Sequence, residues 1–356
     1  MSGGPGLEQR YRRVLRLLPG YYRDRWEEDM AAAFLDSWLT GDPEEDEAIL
    51  EFCKPTWAEA ASVAGLAVRL HLGGAGAPRR YFAWGQAVRL AVLAVAVLHA
   101  AGALDVFVRL VWTHRLFGWL PVPPANIPTA PSGGIWATTL YAVQYAWIVI
   151  FLMLILGHYR TARVIAVLAV VPDLVALVQG QFAGSLQMPY GHWAFWVLLD
   201  LAPVLAMAAF YRDAPLFARR PWLLAVPAYY LVVYVPVLAV QATGNSAWLP
   251  DFSGLCCLLV SLACLAHAPR ARSRRGAGSG VSSLTLMLLA AVAGAVRIVS
   301  LADYLHDLHL MTVSLAELLI LMAAATLVAS DAARAQAAHA RTAAMTAPGM
   351  KPRPPT

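Results

Sequence analysis

The side chains in this sequence best placed to do chemistry are carboxylates and an imidazole set inside apolar runs. Asp173 follows Pro172 within VIAVLAVVPDLVAL, and Asp200 stands three residues before Pro203 within WVLLDLAPVL. His99 lies in the middle of an earlier run. An ionisable group in hydrocarbon costs on the order of 2.5–3.5 kcal/mol unless it is paired or hydrated, so each requires a partner or a purpose. The chemistry on offer is proton or cation binding beside proline-interrupted helices, the arrangement transporters use. The structural alternative is a neutral carboxyl, or an interior imidazole, bonded to a neighbouring helix.

A second set of ionisable residues carries both signs. Asp105, Arg109, Arg297 and Glu317 fall at similar depth once successive spans alternate in direction, which predicts structural ion pairs, Arg297 with Glu317 foremost. The turn DYLHDLHL offers Asp303, His306, Asp307 and His309, three of which share one helical face. No second cluster completes a metal site there, and the polarity of a solvated loop explains these residues equally well. External His114 and His192 could join only if their loops converge. No nucleophile–base pair, Walker A run or His-Glu-x-x-His motif occurs, so the reading leans away from an enzyme, and no cofactor is expected.

The elements that hold these residues follow from composition. Of 356 residues, 59% are hydrophobic and 14% charged, which no soluble globule could hide. Apolar runs fall at about 86–110, 135–157, 164–181, 193–211, 222–241, 252–268, 284–302 and 310–329, against the ~20 residues that a spanning helix needs. The sixth is short enough to be re-entrant, so flanking charge has to decide. Fifteen Lys and Arg residues flank one set of alternate ends, including Arg79, Arg80, Arg160, Arg163, Arg219, Arg220 and the cluster Arg270, Arg272, Arg274 and Arg275. The opposite loops contain Arg115 alone. That asymmetry places the basic ends in the cytoplasm. The expected fold is all-α: a transmembrane bundle of about eight spans, N-in and C-in, with a small cytoplasmic helical domain ahead of it.

Three segments are therefore expected: a cytoplasmic helical module over 1–78, a membrane domain over 79–330 and a cytoplasmic tail over 331–356, ending in a disordered APGMKPRPPT. The first 80 residues lack a signal-peptide core, so the first span is expected to act as its own targeting signal. Those residues hold 10 basic and 13 acidic side chains, so the overall +5 charge resides among the spans and does not argue for nucleic acid. Cys53, Cys256, Cys257 and Cys264 form no disulfide framework and read as reduced thiols.

Within the module, Leu7, Tyr11, Val14, Leu15 and Leu18 make an amphipathic stripe that ends at Pro19-Gly20. Tyr22, Trp26, Met30, Phe34 and Trp38 follow at steps of four, a candidate interaction surface. Asp42-Pro43 with its acidic run starts a third helix, and the Thr56/Glu59 capping box a fourth.

The stretch RYRRVLRLLPGYYRDRWEEDMAAAFLDSW, with Leu18-Pro19, Tyr22-Arg23 and Glu27-Glu28-Asp29-Met30, resembles the HAAS or permease-prefix domain of actinobacterial multi-pass proteins. It departs by one inserted residue before the methionine, and the likeness covers roughly residues 7–40. The resemblance implies a cytosolic interaction module on a membrane part, and hence a regulatory, signalling or permease-associated protein of the bacterial cell membrane. It transfers no catalytic residue. The expected partners are the lipid bilayer and a cytoplasmic protein bound through residues 7–72. The competing reading is a secondary transporter of a small molecule or ion that uses Asp173 and Asp200.

Overall fold

The computed structural model describes residues 6–74, 77–115, 118, 135–183, 190–211, 217–243, 252–273, 277–304 and 307–346. Apart from short turns and connections these are helical, with no strand among the described residues. The tail sequence APGMKPRPPT lies outside them. The chain divides into two compact units, one of residues 1–86 with 208–214 and one of the remainder.

The first unit opens with α1 (Leu7–Leu15), α2 (Gly20–Trp38), α3 (Pro43–Phe52) and α4 (Trp57–His71). Leu7, Tyr11, Leu15, Leu18, Phe34, Val63, Ala67 and Leu70 form its core. The Tyr11 and Phe34 rings stack with centroids 3.8 Å apart. Burial, helped by the nearby Glu59 carboxylate, pushes the Tyr11 hydroxyl above its ordinary pKa.

Polar contacts fix how the helices meet. Arg12 spans two of them, donating from Nε to Glu8 at 2.8 Å and from its two terminal nitrogens to both oxygens of Glu28 at 2.9 and 2.7 Å. This fork holds Glu28 below the usual carboxylate range, first through the hydrogen bond and then through the charge of Arg12. Asp42 accepts from the Glu44 amide at 3.1 Å and Pro43 takes the first turn of α3, as the sequence requires. The Thr56–Glu59 capping box is complete, and Glu59 also accepts from the Trp38 indole at 2.9 Å, tying α2 to α4. Past α4, Gly73 adopts φ +82° and its carbonyl accepts from the Tyr211 hydroxyl. A side chain at Gly85 would place Cβ 1.8 Å from the Leu72 carbonyl oxygen, so only glycine permits that approach.

The second unit is built from most of α5 (Arg79–Thr113), then α6 (Ile135–Leu156), α7 (Tyr159–Ala183), α8 (Tyr190–Ala206), α9 (Arg219–Tyr229), α10 (Val235–Thr243), α11 (Phe252–Ser273), α12 (Ala277–Leu301) and α13 (Leu308–Thr346). Each expected apolar run coincides with helix. Among the described residues, four segments are long and apolar enough to cross a membrane: Arg79–Thr113, Arg219–Gln241, Gly280–Leu301 and Leu308–Arg334. Ala142–Leu156, Val197–Ala209 and Ser253–Pro269 are shorter apolar stretches among the described residues. These helices mark the chain as a membrane protein. Their outward faces agree, with Leu168, Leu198, Leu205, Leu231 and Leu319 all more than 60% exposed, a surface that lipid and not water would cover.

Connections are made by backbone geometry. Between α6 and α7, Gly157 at φ +87° closes a Schellman-type stop, with the His158 amide donating to Met153 at 2.8 Å. Pro172 and Pro203 sit inside α7 and α8, and α8 tightens into a 3₁₀ turn over Met207–Ala209. Between α9 and α10 the backbone widens into a π turn over Tyr230–Tyr234. Pro236 has no N–H for the carbonyl of Val232 four residues earlier, and the π turn gives that carbonyl room. The helices α11, α12 and α13 pack on one another through Cys257, Ala290, Ala293, Cys264 and Ala324, small side chains that permit close approach.

Glu59 generates the test of the module. Burial alone would raise its pKa, but hydrogen bonds from the Thr56 amide, the Trp38 indole and the Thr56 hydroxyl bring it below the ordinary value. A depressed folded pKa gives stability that is present above the unfolded carboxylate value of ~4.3 and lost as pH falls through the folded value. Glu59→Ala should therefore destabilise the module by about 1–3 kcal/mol near neutrality, with the difference from wild type shrinking in acid. Glu59→Gln should lose less. Urea-dependent proteolysis of the α2–α4 region in the full-length protein, at two pH values, measures both.

Candidate functional site

Among the described residues, three polar clusters within the helices of the second unit hold the residues singled out above. In the first, His99 of α5 places Nε2 3.6 Å from Asp200 Oδ1 of α8. The imidazole lies flat on Trp147 of α6, with centroids 4.1 Å apart and planes 13° from parallel. The separation exceeds a hydrogen bond but suits an ion pair if the ring is protonated. Asp173 lies on α7, the helix that packs against α8. Of His99, Asp173 and Asp200, singled out separately from the sequence, the structure brings His99 and Asp200 to each other and sets Asp173 on the adjoining helix.

In the second cluster Arg109 donates from Nε to Asp105 Oδ2 at 2.6 Å and from a terminal nitrogen to Gln241 Oε1 of α10 at 2.9 Å. The spacing of four residues on one helix face makes the first contact possible. Beside it, Tyr230 and Tyr234 of the π turn stack at 5.7 Å, and a Cβ at Gly102 would meet the Tyr234 hydroxyl at 3.1 Å. The Tyr229 hydroxyl lies 3.1 Å from Cys256 Sγ on α11. The tyrosines were not marked by the sequence, although a Pro227–Pro236 pair bracketing YYLVVY was a visible signal of altered helix geometry.

The third cluster is the most enclosed. Arg297 of α12 pairs with Glu317 of α13, and their side chains are 3% and 7% exposed. A second Arg297 nitrogen donates to Ser253 Oγ of α11 at 2.8 Å, and the guanidinium lies 5.9 Å from the Tyr304 ring centroid. One arginine therefore joins three helices. Arg89 on α5 was missed in the sequence, yet it is fully buried. Its place inside an apolar run, ten residues past Arg79, could have revealed it. Arg163 donates to the Met207 carbonyl at 3.0 Å, satisfying the 3₁₀ end of α8.

No group of three or more His, Cys, Asp or Glu side chains that could hold a metal ion occurs among the described residues. Asp307 caps α13, accepting from the His309 and Leu310 amides at 2.9 and 3.1 Å. The His306 backbone and side chain, and the side chains of Asp303 and His192, lie outside the described residues. The cysteines are free thiols, with Cys257 and Cys264 buried.

In the first unit the stripe on α2 divides. Phe34 is buried in the core, and Tyr22, Met30 and Trp38 pack against it. Trp26 is 41% exposed, with the Arg25 guanidinium 5.2 Å from its ring centroid. The stripe is core first, and the larger exposed apolar groups are elsewhere: Phe52 at 72% and Trp57 at 91% exposure flank the α3–α4 connection, with Leu50 beside them in sequence.

No family model, curated protein or solved structure matches this chain.

The Arg297–Glu317 pair supplies a double-mutant test. Removing one partner leaves a buried charge without its counterion, so Arg297→Met or Glu317→Leu alone should cost about 3–5 kcal/mol, whereas the double variant should recover most of that loss. Thermal unfolding of the purified full-length protein reads the coupling. Additive losses would mean that the two charges do not depend on each other.

Proposed function

We propose that this chain is a multi-pass protein of the bacterial cytoplasmic membrane, with eight crossings and both termini inside. Its N-terminal helical module docks a cytoplasmic protein, which makes the chain a regulatory, signalling or permease-associated component. The observation that carries this reading is the division of labour in the first unit: it closes a core of its own, yet leaves Phe52 and Trp57 exposed at the α3–α4 connection. Large aromatic groups without a role in their own core are the usual anchors of protein interfaces. The likeness of residues 7–40 to permease-prefix domains supports the same role, and the fifteen-to-one distribution of basic residues supports the orientation.

Because neither aromatic residue contributes to the core, Phe52→Ser with Trp57→Ser should change stability by no more than about 0.5 kcal/mol each. A photo-crosslinking residue at position 50 of the full-length chain should capture one defined cytoplasmic protein, and the double substitution should reduce that adduct at least tenfold. An adduct unchanged by the substitution, or one formed only with lipid, contradicts the docking role.

A second reading, a secondary transporter, is favoured by one observation, the approach of His99 to Asp200 across two helices with Asp173 on the adjoining helix. Carboxylates and imidazoles at the middle of spans serve proton relays. On this reading Asp200→Asn abolishes proton flux in proteoliposomes under an imposed potential, and His99→Gln shifts its pH dependence. Flux that persists unchanged in Asp200→Asn contradicts it.

A further inference from the structure

We propose that a lateral groove in the second unit binds one anionic phospholipid of the cytoplasmic leaflet, with an acyl chain along the groove and the phosphate at Arg219 and Arg220; the choice of leaflet rests on the eight-crossing reading. The groove has a volume of about 440 Å³ and is formed by α5, α9, α11 and α12. That is within the ~300–1,000 Å³ of small-molecule pockets.

Its lining changes character along its length. Leu90 and Ala94 of α5, Ala263 of α11 and Leu289 of α12 make an apolar trough, kept open by the two alanines. At the other end stand His267, Ser282 and Thr285. The His267 Nε2 lies 3.0 Å from Ser283 Oγ, and Thr285 Oγ1 donates to the Val281 carbonyl at 2.9 Å, so these polar atoms are engaged within the bundle and the groove wall itself is almost wholly apolar.

The gradient has a consistent direction on both helices. On α12 the lining runs from Ser282 through Thr285 to Leu286 and Leu289 as the chain leaves its basic flank. On α11 it runs from Ala263 to His267 as the chain approaches Arg270. The polar end therefore lies toward the basic ends of both helices.

A phospholipid has the same order, an apolar tail for the trough and a phosphate for the basic flank. Trp222 lines the groove, and the exposed Arg219 and Arg220 precede it by three and two residues at the start of α9. An aromatic ring beside arginines is the usual arrangement at the headgroup level, and arginine pairs well with a phosphodiester. A neutral apolar molecule would have no use for the two arginines. A soluble anion would have none for the trough.

The test uses the full-length protein with phosphatidylglycerol and phosphatidylcholine of identical chains, followed by native mass spectrometry. The wild type should retain one phosphatidylglycerol in preference to phosphatidylcholine. Arg219→Ala with Arg220→Ala should reduce that preference by about fivefold per arginine while leaving the protein folded. Ala94→Leu with Ala263→Leu, which fills the trough, should remove bound lipid of both kinds. Because filling a helix interface can unfold a protein, a second measurement accompanies it: quenching of Trp222 emission by acyl-brominated phosphatidylglycerol, taken as the difference from Trp222→Phe. Retention of phosphatidylglycerol by the arginine variant at the wild-type preference, or absence of Trp222 quenching, overturns the proposal. The orientation is checked separately with an impermeant maleimide and Ser273→Cys in a cysteine-free background. Labelling in intact cells overturns the eight-crossing reading and its leaflet assignment. Protection there, combined with unaltered lipid preference in the arginine variant, overturns the groove alone.

Discussion

A hydrocarbon solvent offers no hydrogen bonds, and the helices of the second unit answer to that constraint. Backbone amides must be satisfied within each segment, which leaves the helix as the local solution for a non-barrel chain. The same constraint explains why irregularities are so economical. The 3₁₀ turn over Met207–Ala209 is met by Arg163, and the π turn at Tyr230–Tyr234 lies where Pro236 removes a donor. Large leucines face outward because lipid rewards what water would penalise.

Ionisable groups inside such a bundle meet the constraint in different degrees. Arg297 is held by Glu317 and Ser253 on two neighbouring helices, so that losing Glu317 leaves a buried charge without its counterion. Asp105 and Arg109 settle their account on one helix and lean on Gln241 of another. His99 and Asp200 approach less closely, 3.6 Å apart and partly accessible, with the imidazole lying flat on Trp147. Structural glue and candidate chemistry are thus distinguished here by geometry and not by residue type.

Much of this was legible in the sequence because the signals are periodic and local. Eight apolar runs, the Asp42-Pro43 start, the Thr56/Glu59 box and the Arg297–Glu317 pairing each follow from spacing or from depth. What escaped depends on three-dimensional packing. The α2 stripe read as an interaction surface because periodicity reports amphipathicity without saying what covers the apolar face; Leu7, Leu15 and Phe34 show that most of it closes the module's own core. Arg89 was lost among flanking arginines, and Gly85 gave no sign that a carbonyl would come within reach of its missing Cβ. The approach of His99 to Asp200 joins residues 101 positions apart, a relation no local pattern encodes.

Nitroxide labels at Leu168, Leu198, Leu231 and Leu319, with one at Glu44 in the first unit for contrast, test the central claim most directly. In lipid nanodiscs the four leucine positions should collide readily with dissolved oxygen and scarcely with a water-soluble nickel chelate, and Glu44 should show the reverse. If the leucine positions are instead reached by the chelate as freely as Glu44 is, those helices do not lie in lipid.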